Sequence, residues 1–140
     1  MVVPNWTMDG RNMMSHDDFT NDVVGFIYRI NYSNGQSYIG SKLIRSITKL
    51  KPTKEQLAIR KNYVRKEMRD KPFAKYIGSS ENTKHLTIVS REILEVCSDK
   101  INLRYCETKW LFRLDVLVGE KYLNANINGT YFHGKISKGR

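Results

Sequence analysis

Two phenols, one isolated carboxylate and a dense run of cations are the side chains of this sequence best suited to chemistry. In "GFIYRINYSNGQSYIGSK", residues 25–42, nine residues separate Tyr28 from Tyr38, and the stretch runs directly into a basic segment. Glu107 sits far downstream in "YCETKWLFRLDV", amid apolar neighbours. A phenol within reach of water can orient it or accept its proton. A lone carboxylate in a cleft can hold a hard divalent cation through oxygen. Lysines and arginines draw a polyanion toward both. These groups act together only if the chain folds them to one place.

The tyrosines belong to a hairpin. Residues 23–32 are β-rich and partly alternating, "SNG" supplies the turn, and residues 37–41 return. A two-residue Asn34-Gly35 loop would put Tyr28 and Tyr38 on opposite faces. A three-residue Ser33-Asn34-Gly35 loop pairs Tyr32 with Gln36, sets Ile30 opposite Tyr38 and Tyr28 opposite Gly40, and leaves both phenols on one face. The sequence permits both loops.

Glu107 belongs to the clearest helix, residues 101–118, expected to close at Gly119. Its apolar stripe is Leu103, Cys106, Trp110, Leu114 and Leu117, and Glu107 falls on the shoulder of that stripe. Burial of an unpaired carboxylate is costly. Glu107 therefore either snorkels to a basic neighbour such as Arg104 or Lys109, or faces a cleft where it binds a cation.

The whole chain has 140 residues and a formal charge of +10. Residues 42–75 hold twelve Lys/Arg against Glu55, Glu67 and Asp70, a net of +9 in a quarter of the chain. A solubilising surface interleaves its signs; this one mostly does not, which points to nucleic acid. No apolar run is long enough for a membrane span, and the first residues lack the pattern of a secretory leader. Cys97 and Cys106 are too few for a disulfide framework or a zinc site and read as buried, reduced thiols of a cytoplasmic protein. Residues 1–22 read as a polar tail that Trp6 anchors. Residues 53–70 read as a helix capped by Thr53, with a weak stripe of Leu57, Tyr63/Val64 and Met68, and Pro72 beyond its end. Residues 84–96 read as a third strand, and the end as loop with short extended pieces and a basic tail. His85 and His133 read as surface or packing residues.

Together these residues resemble the GIY-YIG nucleases. "GFIY" widens the first tripeptide by one residue, giving Gly25, Ile27 and Tyr28; "YIG" is intact as Tyr38, Ile39 and Gly40. A helix-borne glutamate, Glu107, and a downstream asparagine, Asn124, follow in the family's order. "KYIGSS", residues 75–80, echoes "SYIGSK" and looks like the segment that precedes the third strand in phage-type stand-alone or homing members. Only Tyr38 is at hairpin distance from Tyr28; Tyr76–Ser80 reads as a structural or phosphate-contacting turn.

The resemblance implies an α+β fold, a small three-stranded antiparallel sheet flanked by helices. It covers residues 23–128, with a basic insert at 42–75, an N-terminal tail at 1–22 and a basic C-terminal tail at 129–140. It implies a metal-dependent DNA endonuclease of a bacterial or phage-infected cell's cytoplasm, using Mg2+ or another divalent cation such as Mn2+ held by Glu107. Tyr28 would activate the attacking water, which requires nearby cations to lower its pKa or a route to pass the proton on. Tyr38 would orient water or phosphate, and Asn124, or its rival Asn126, would orient the metal site or cap a loop. Arg45 would clamp the scissile phosphate, with Arg60, Arg65 and Lys42 as alternatives. Lys42, Arg60, Lys61, Arg65, Lys66 and Lys75 would contact DNA. Sequence preference would come from the insert, the tails, a homodimer or a DNA-recognition partner. A non-catalytic nucleic-acid-binding module on the same scaffold, and a basic RNA-binding protein, are the competing readings.

Overall fold

The computed structural model describes residues 3–61 and 65–136, apart from the side chain of Lys66. Strands β1 (Trp6–Met8), β2 (Arg11–Met13), β3 (Gly25–Tyr32), β4 (Ser37–Leu43) and β7 (Ile88–Cys97) form one sheet in the order β2-β1-β7-β3-β4. Between β4 and β7 the chain makes β5 (Arg45–Leu50), the short helix α1 (Lys54–Ile59) and β6 (Arg65–Asp70). Helix α2 (Lys100–Arg113) follows, then the small strands β8 (Asn126–Ile127) and β9 (Tyr131–Phe132). The fold is α+β.

The sheet is larger than the expected three antiparallel strands, and it is mixed. The difference lies in residues 6–13, which are not a tail: β1 pairs in parallel with β7 through Trp6↔Arg91 and Thr7↔Glu92, and β2 folds back on β1. Asp9 and Gly10 make the turn with φ of 52° and 80°, the two left-handed residues that a tight hairpin requires. Trp6 is the anchor expected of it, 1 % exposed, with its indole N–H donating to the Phe73 carbonyl at 3.0 Å.

The central strand β3 is buried on both faces, and this divides the interior in two. Phe26, Tyr28, Ile30 and Tyr32 pack with Trp6, Met13, Phe19, Phe73 and Ile93 on one face. Ile27 packs with Ile39, Cys97, Leu103, Cys106 and Leu111 on the other, under α2. Period-two alternation in β3 thus feeds two cores.

Helix α2 begins at Asp99, whose carboxylate accepts from the Asn102 amide at 2.7 Å. It ends before the expected residue 118. Asp115 takes a left-handed φ of 49°, and Val116 N–H returns to the Leu111 carbonyl while Asp115 N–H returns to Phe112. This is a Schellman closure with Asp where Gly is usual. It turns Val116 and Leu117 into the second core.

The expected helix over 53–70 is also corrected. Thr53 does cap a helix, its hydroxyl accepting from Gln56 N–H, but that helix stops at Ile59. Residues 65–70 are a strand, paired antiparallel with β5 from Arg45↔Asp70 to Leu50↔Arg65. The proposed stripe residues Tyr63 and Val64 lie outside the described residues. The basic insert is therefore a two-stranded arm on its own small sheet.

Candidate active site

The hairpin loop is the three-residue one. Tyr32 N–H donates to Gln36, Gly35 N–H donates back to Tyr32, and Gly35 has φ 86°. Register follows: Ile30↔Tyr38 and Tyr28↔Gly40. Both phenols share a face, with ring centroids 6.5 Å apart.

Strand β4 is an edge strand, and what covers its edge decides where a site can open. Residues 121–124 run beside its first half. Ser37 N–H donates to the Lys121 carbonyl, and Leu123 N–H donates to that of Ser37. Asn124 then extends the ladder with its side chain, accepting from Ile39 N–H at 3.0 Å and donating to the Ile39 carbonyl at 2.7 Å. Beyond Ile39 the cover ends, and a cleft of about 440 Å³ opens around Gly40 and Ser41. Phenols reach it from one face of the sheet and α2 from the other. Its walls include Tyr28, Tyr38, Ser41, Ser79, Ser80, Glu107 and Asn124.

Within the cleft Glu107 is half-buried and accepts a short hydrogen bond from the Ser41 hydroxyl. Neither expected ion-pair partner takes it: Lys109 pairs with Glu95 at 3.1 Å, and no ion pair to Glu107 forms among the described residues. Tyr28 is 1 % exposed. Burial first, then the neighbouring Tyr76, Tyr38 and Glu107, push its phenol well above the ordinary tyrosine value. Tyr38 is raised as well, by burial and then by Glu107. Of the two routes expected for Tyr28, a pKa lowered by cations or a proton passed on, these surroundings oppose the first, because burial favours the neutral, hydrogen-bonding phenol.

Arg45 is not in this cleft. It is buried, and its guanidinium donates to the carbonyls of Thr20 (2.7 Å), Val23 (2.9 Å) and His16 (2.9 Å) and lies 3.6 Å from Asp70. Those contacts hold the root of the β5–β6 arm. Lys42, the residue after Ser41, is the cation that chain order keeps beside the cleft; its ammonium sits 4.7 Å from the Tyr76 ring centroid. Burial and then Lys71 lower its pKa. Tyr76 in turn meets Tyr28 edge-on at 5.8 Å. Arg60, Lys61, Arg65 and Lys75 are exposed, away from the cleft walls; the Lys66 side chain lies outside the described residues. Asn126 also lines the cleft, but its carboxamide oxygen accepts from Gly129 N–H at 2.9 Å. Sequence reasoning missed Ser41. The echo of "YIGSK" in "YIGSS" was its available signal, since Ser41 and the Ser79–Ser80 pair line the same cleft.

A metal fits one set of side chains better than the other. Glu107 and the hydroxyls of Ser41, Ser79 and Ser80 offer oxygen, the donor type for a hard divalent cation, whereas the Asn124 and Asn126 carboxamide oxygens are already engaged by backbone N–H groups. Glu95, Cys97 and Cys106 also converge. There, however, Glu95 already accepts from Lys109, Trp110 at 2.9 Å and the Cys106 thiol at 3.2 Å, and burial pushes the Cys97 thiol up to about 12. Those sulfurs are protonated core groups. His133, exposed, has its Nε2 2.8 Å from the Gly119 carbonyl.

No helix of the described residues is long and apolar enough to cross a membrane. No curated protein and no solved structure matches the chain significantly. A family model described as "Putative endonuclease segE, GIY-YIG domain" matches residues 6–127, from the first strand of the sheet to the end of β8. Its span takes in both tyrosines, Gly40, Glu107 and Asn124, and the chain belongs to this GIY-YIG endonuclease domain family.

Proposed function

We propose that this chain is a metal-dependent DNA endonuclease that hydrolyses phosphodiester bonds in the cleft at the open edge of β4. The observation that carries the reading is convergence: Tyr28, Tyr38 and Glu107 come from three elements and line one polar cleft. The phenols also pack in or against the first core, but a carboxylate lining the same hollow has no packing role there.

Glu107 would hold Mg2+ or Mn2+, with Ser41 fixing the carboxylate's orientation. When bound there, such a cation would supply charge neutralisation at the phosphate and at the departing oxygen. Tyr38, the more exposed phenol, orients the attacking water. Tyr28 is neutral at rest and acts as a fixed hydroxyl whose oxygen accepts a hydrogen bond from that water, and the proton the water loses on attack leaves to solvent through the open side of the cleft. Asn124 keeps β4 in register, so that Gly40 and Ser41 stay open to the substrate. Lys42 takes the phosphate-steering role expected of Arg45. Phage-type stand-alone or homing activity is consistent with this small domain.

The test is a supercoiled plasmid incubated with the full chain and Mg2+, with product ends mapped. Nicked or linear product that EDTA abolishes supports the reading. DNA binding without cleavage in Mg2+ and Mn2+ favours the non-catalytic module instead.

A further inference from the structure

We propose that the β5–β6 arm is a duplex-DNA reader that enters the major groove, with Ile47 and Met68 facing the bases and flanking cations gripping the phosphates. This rests on the reading of the cleft as a DNA-cutting site.

The arm has the dimensions for it. Its six paired positions span about 17 Å at the rise of an antiparallel strand. A B-form major groove, about 12 Å wide and 8.5 Å deep, admits a two-stranded ribbon. Neither strand joins the main sheet.

Its root is braced, so it is an aimed element rather than a loose loop. Arg45 ties it to His16, Thr20 and Val23. His16 Nε2 lies 3.0 Å from the Ile44 carbonyl and 2.9 Å from that of Lys71. Carbonyls only accept, so this nitrogen carries the proton and bridges the two strands where they leave the body. Lys71 N–H also donates to the Ile44 carbonyl, and Ile44 and Arg45 N–H both donate to Val24.

Chemistry separates its two faces. Ile47 and Met68 are direct cross-strand partners and are 51 % and 46 % exposed, an apolar pair that no core covers. Exposed apolar side chains on a basic ribbon suit thymine methyl groups. Lys49 shares their face; Ile47 and Lys49 form one wall of an open hollow of about 870 Å³ whose other wall is Asp99, Lys100, Ile101 and Asn102, so the edge of a duplex would enter between the arm and the start of α2. Arg65 projects from the other face. Neither Lys49 nor Arg65 forms an ion pair among the described residues, whereas Arg69 is held by Glu67 at 3.1 Å. Free cations flanking an apolar pair describe phosphate grip around base contact.

The test uses the full chain without metal and a 30-base-pair DNA duplex, read by fluorescence anisotropy across salt. Lys49→Ala/Arg65→Ala, both on the surface, is expected to weaken binding at least tenfold and to flatten the log–log salt slope by roughly 2. Ile47→Ser/Met68→Ser is expected to keep the slope and to erase interference from guanine N7 methylation, a major-groove mark. Unchanged affinity and slope in the first variant, or interference only from minor-groove adenine N3 methylation, overturns the proposal. Equal binding of an RNA duplex also overturns it, because the A-form major groove is too deep and narrow for a ribbon. Arm-dependent binding by a chain that does not cut would sink the nuclease reading while leaving this one intact. Cutting that ignores the arm variants would do the reverse.

Discussion

Gly40 stands directly across the β3–β4 pair from Tyr28, and a Cβ built on it would lie 2.6 Å from Tyr28 Cζ. Only a residue without a side chain lets the phenol lie flat against β4 and reach the cleft. Gly40→Ala is therefore expected to displace Tyr28 against Trp6 and Tyr76, costing about 1–3 kcal/mol of stability and most of the cleavage activity. Urea unfolding beside a nicking assay checks both; an alanine variant with unchanged stability and rate would show that the contact does not constrain the phenol.

Arg45 distinguishes a phosphate clamp from a structural brace. Arg45→Ala leaves the carbonyls of His16, Thr20 and Val23 without their donor. The expected loss is about 3 kcal/mol, visible in the unfolding midpoint. A clamp would instead leave stability alone and slow cleavage only.

The contrast between these two residues shows what one sequence reveals. The hairpin that carries Tyr28, Tyr38 and Gly40 was readable from its β-rich flanks and Gly-containing turn, but its register was left open between two loop lengths and only the observed three-residue loop puts both phenols on one face. Glu107 was readable because a carboxylate on an apolar shoulder is conspicuous. The arm was not. Residues 65–70 are rich in Lys, Arg, Glu and Met, good helix formers, and the Thr53 cap does start a helix. Their strand state comes from pairing with Arg45–Leu50, some twenty residues away, which local propensity does not encode. Arg45 was misassigned for the same reason: its partners at 16–23 belong to a segment taken for a tail. There the Asp9-Gly10 dipeptide was a legible turn signal, but three-residue strands are too short to show alternation.

Ser41 is expected to act through Glu107. Ser41→Ala should raise the Mg2+ concentration for half-maximal nicking about tenfold with little change in stability, and Ser41→Thr should restore it. An alanine variant with a wild-type Mg2+ titration would remove Ser41 from the metal site.

Acid stability should depend on Glu95. Burial alone would raise its carboxyl, but hydrogen bonds from Cys106, Trp110 and Lys109 outweigh burial and hold it below its ordinary 4.5. A depressed folded-state value means that the folded chain binds fewer protons there. The stabilisation is thus complete above pH 4.5 and is lost as pH falls through the lowered value. Urea midpoints followed from pH 7 downward should fall less steeply for Glu95→Gln than for wild type; parallel curves would contradict this.

Cleavage by Glu107→Gln is the most direct measurement. The amide keeps the side chain's size and removes its charge. Supercoiled plasmid in Mg2+ should be nicked by the wild-type chain and cut at least 100-fold more slowly by the variant, about 2.7 kcal/mol in barrier. Duplex affinity without metal should stay within about twofold, since binding lies with the basic arm. A variant that cuts at the wild-type rate would contradict the account, because the carboxylate facing the two phenols would then have no part in the chemistry.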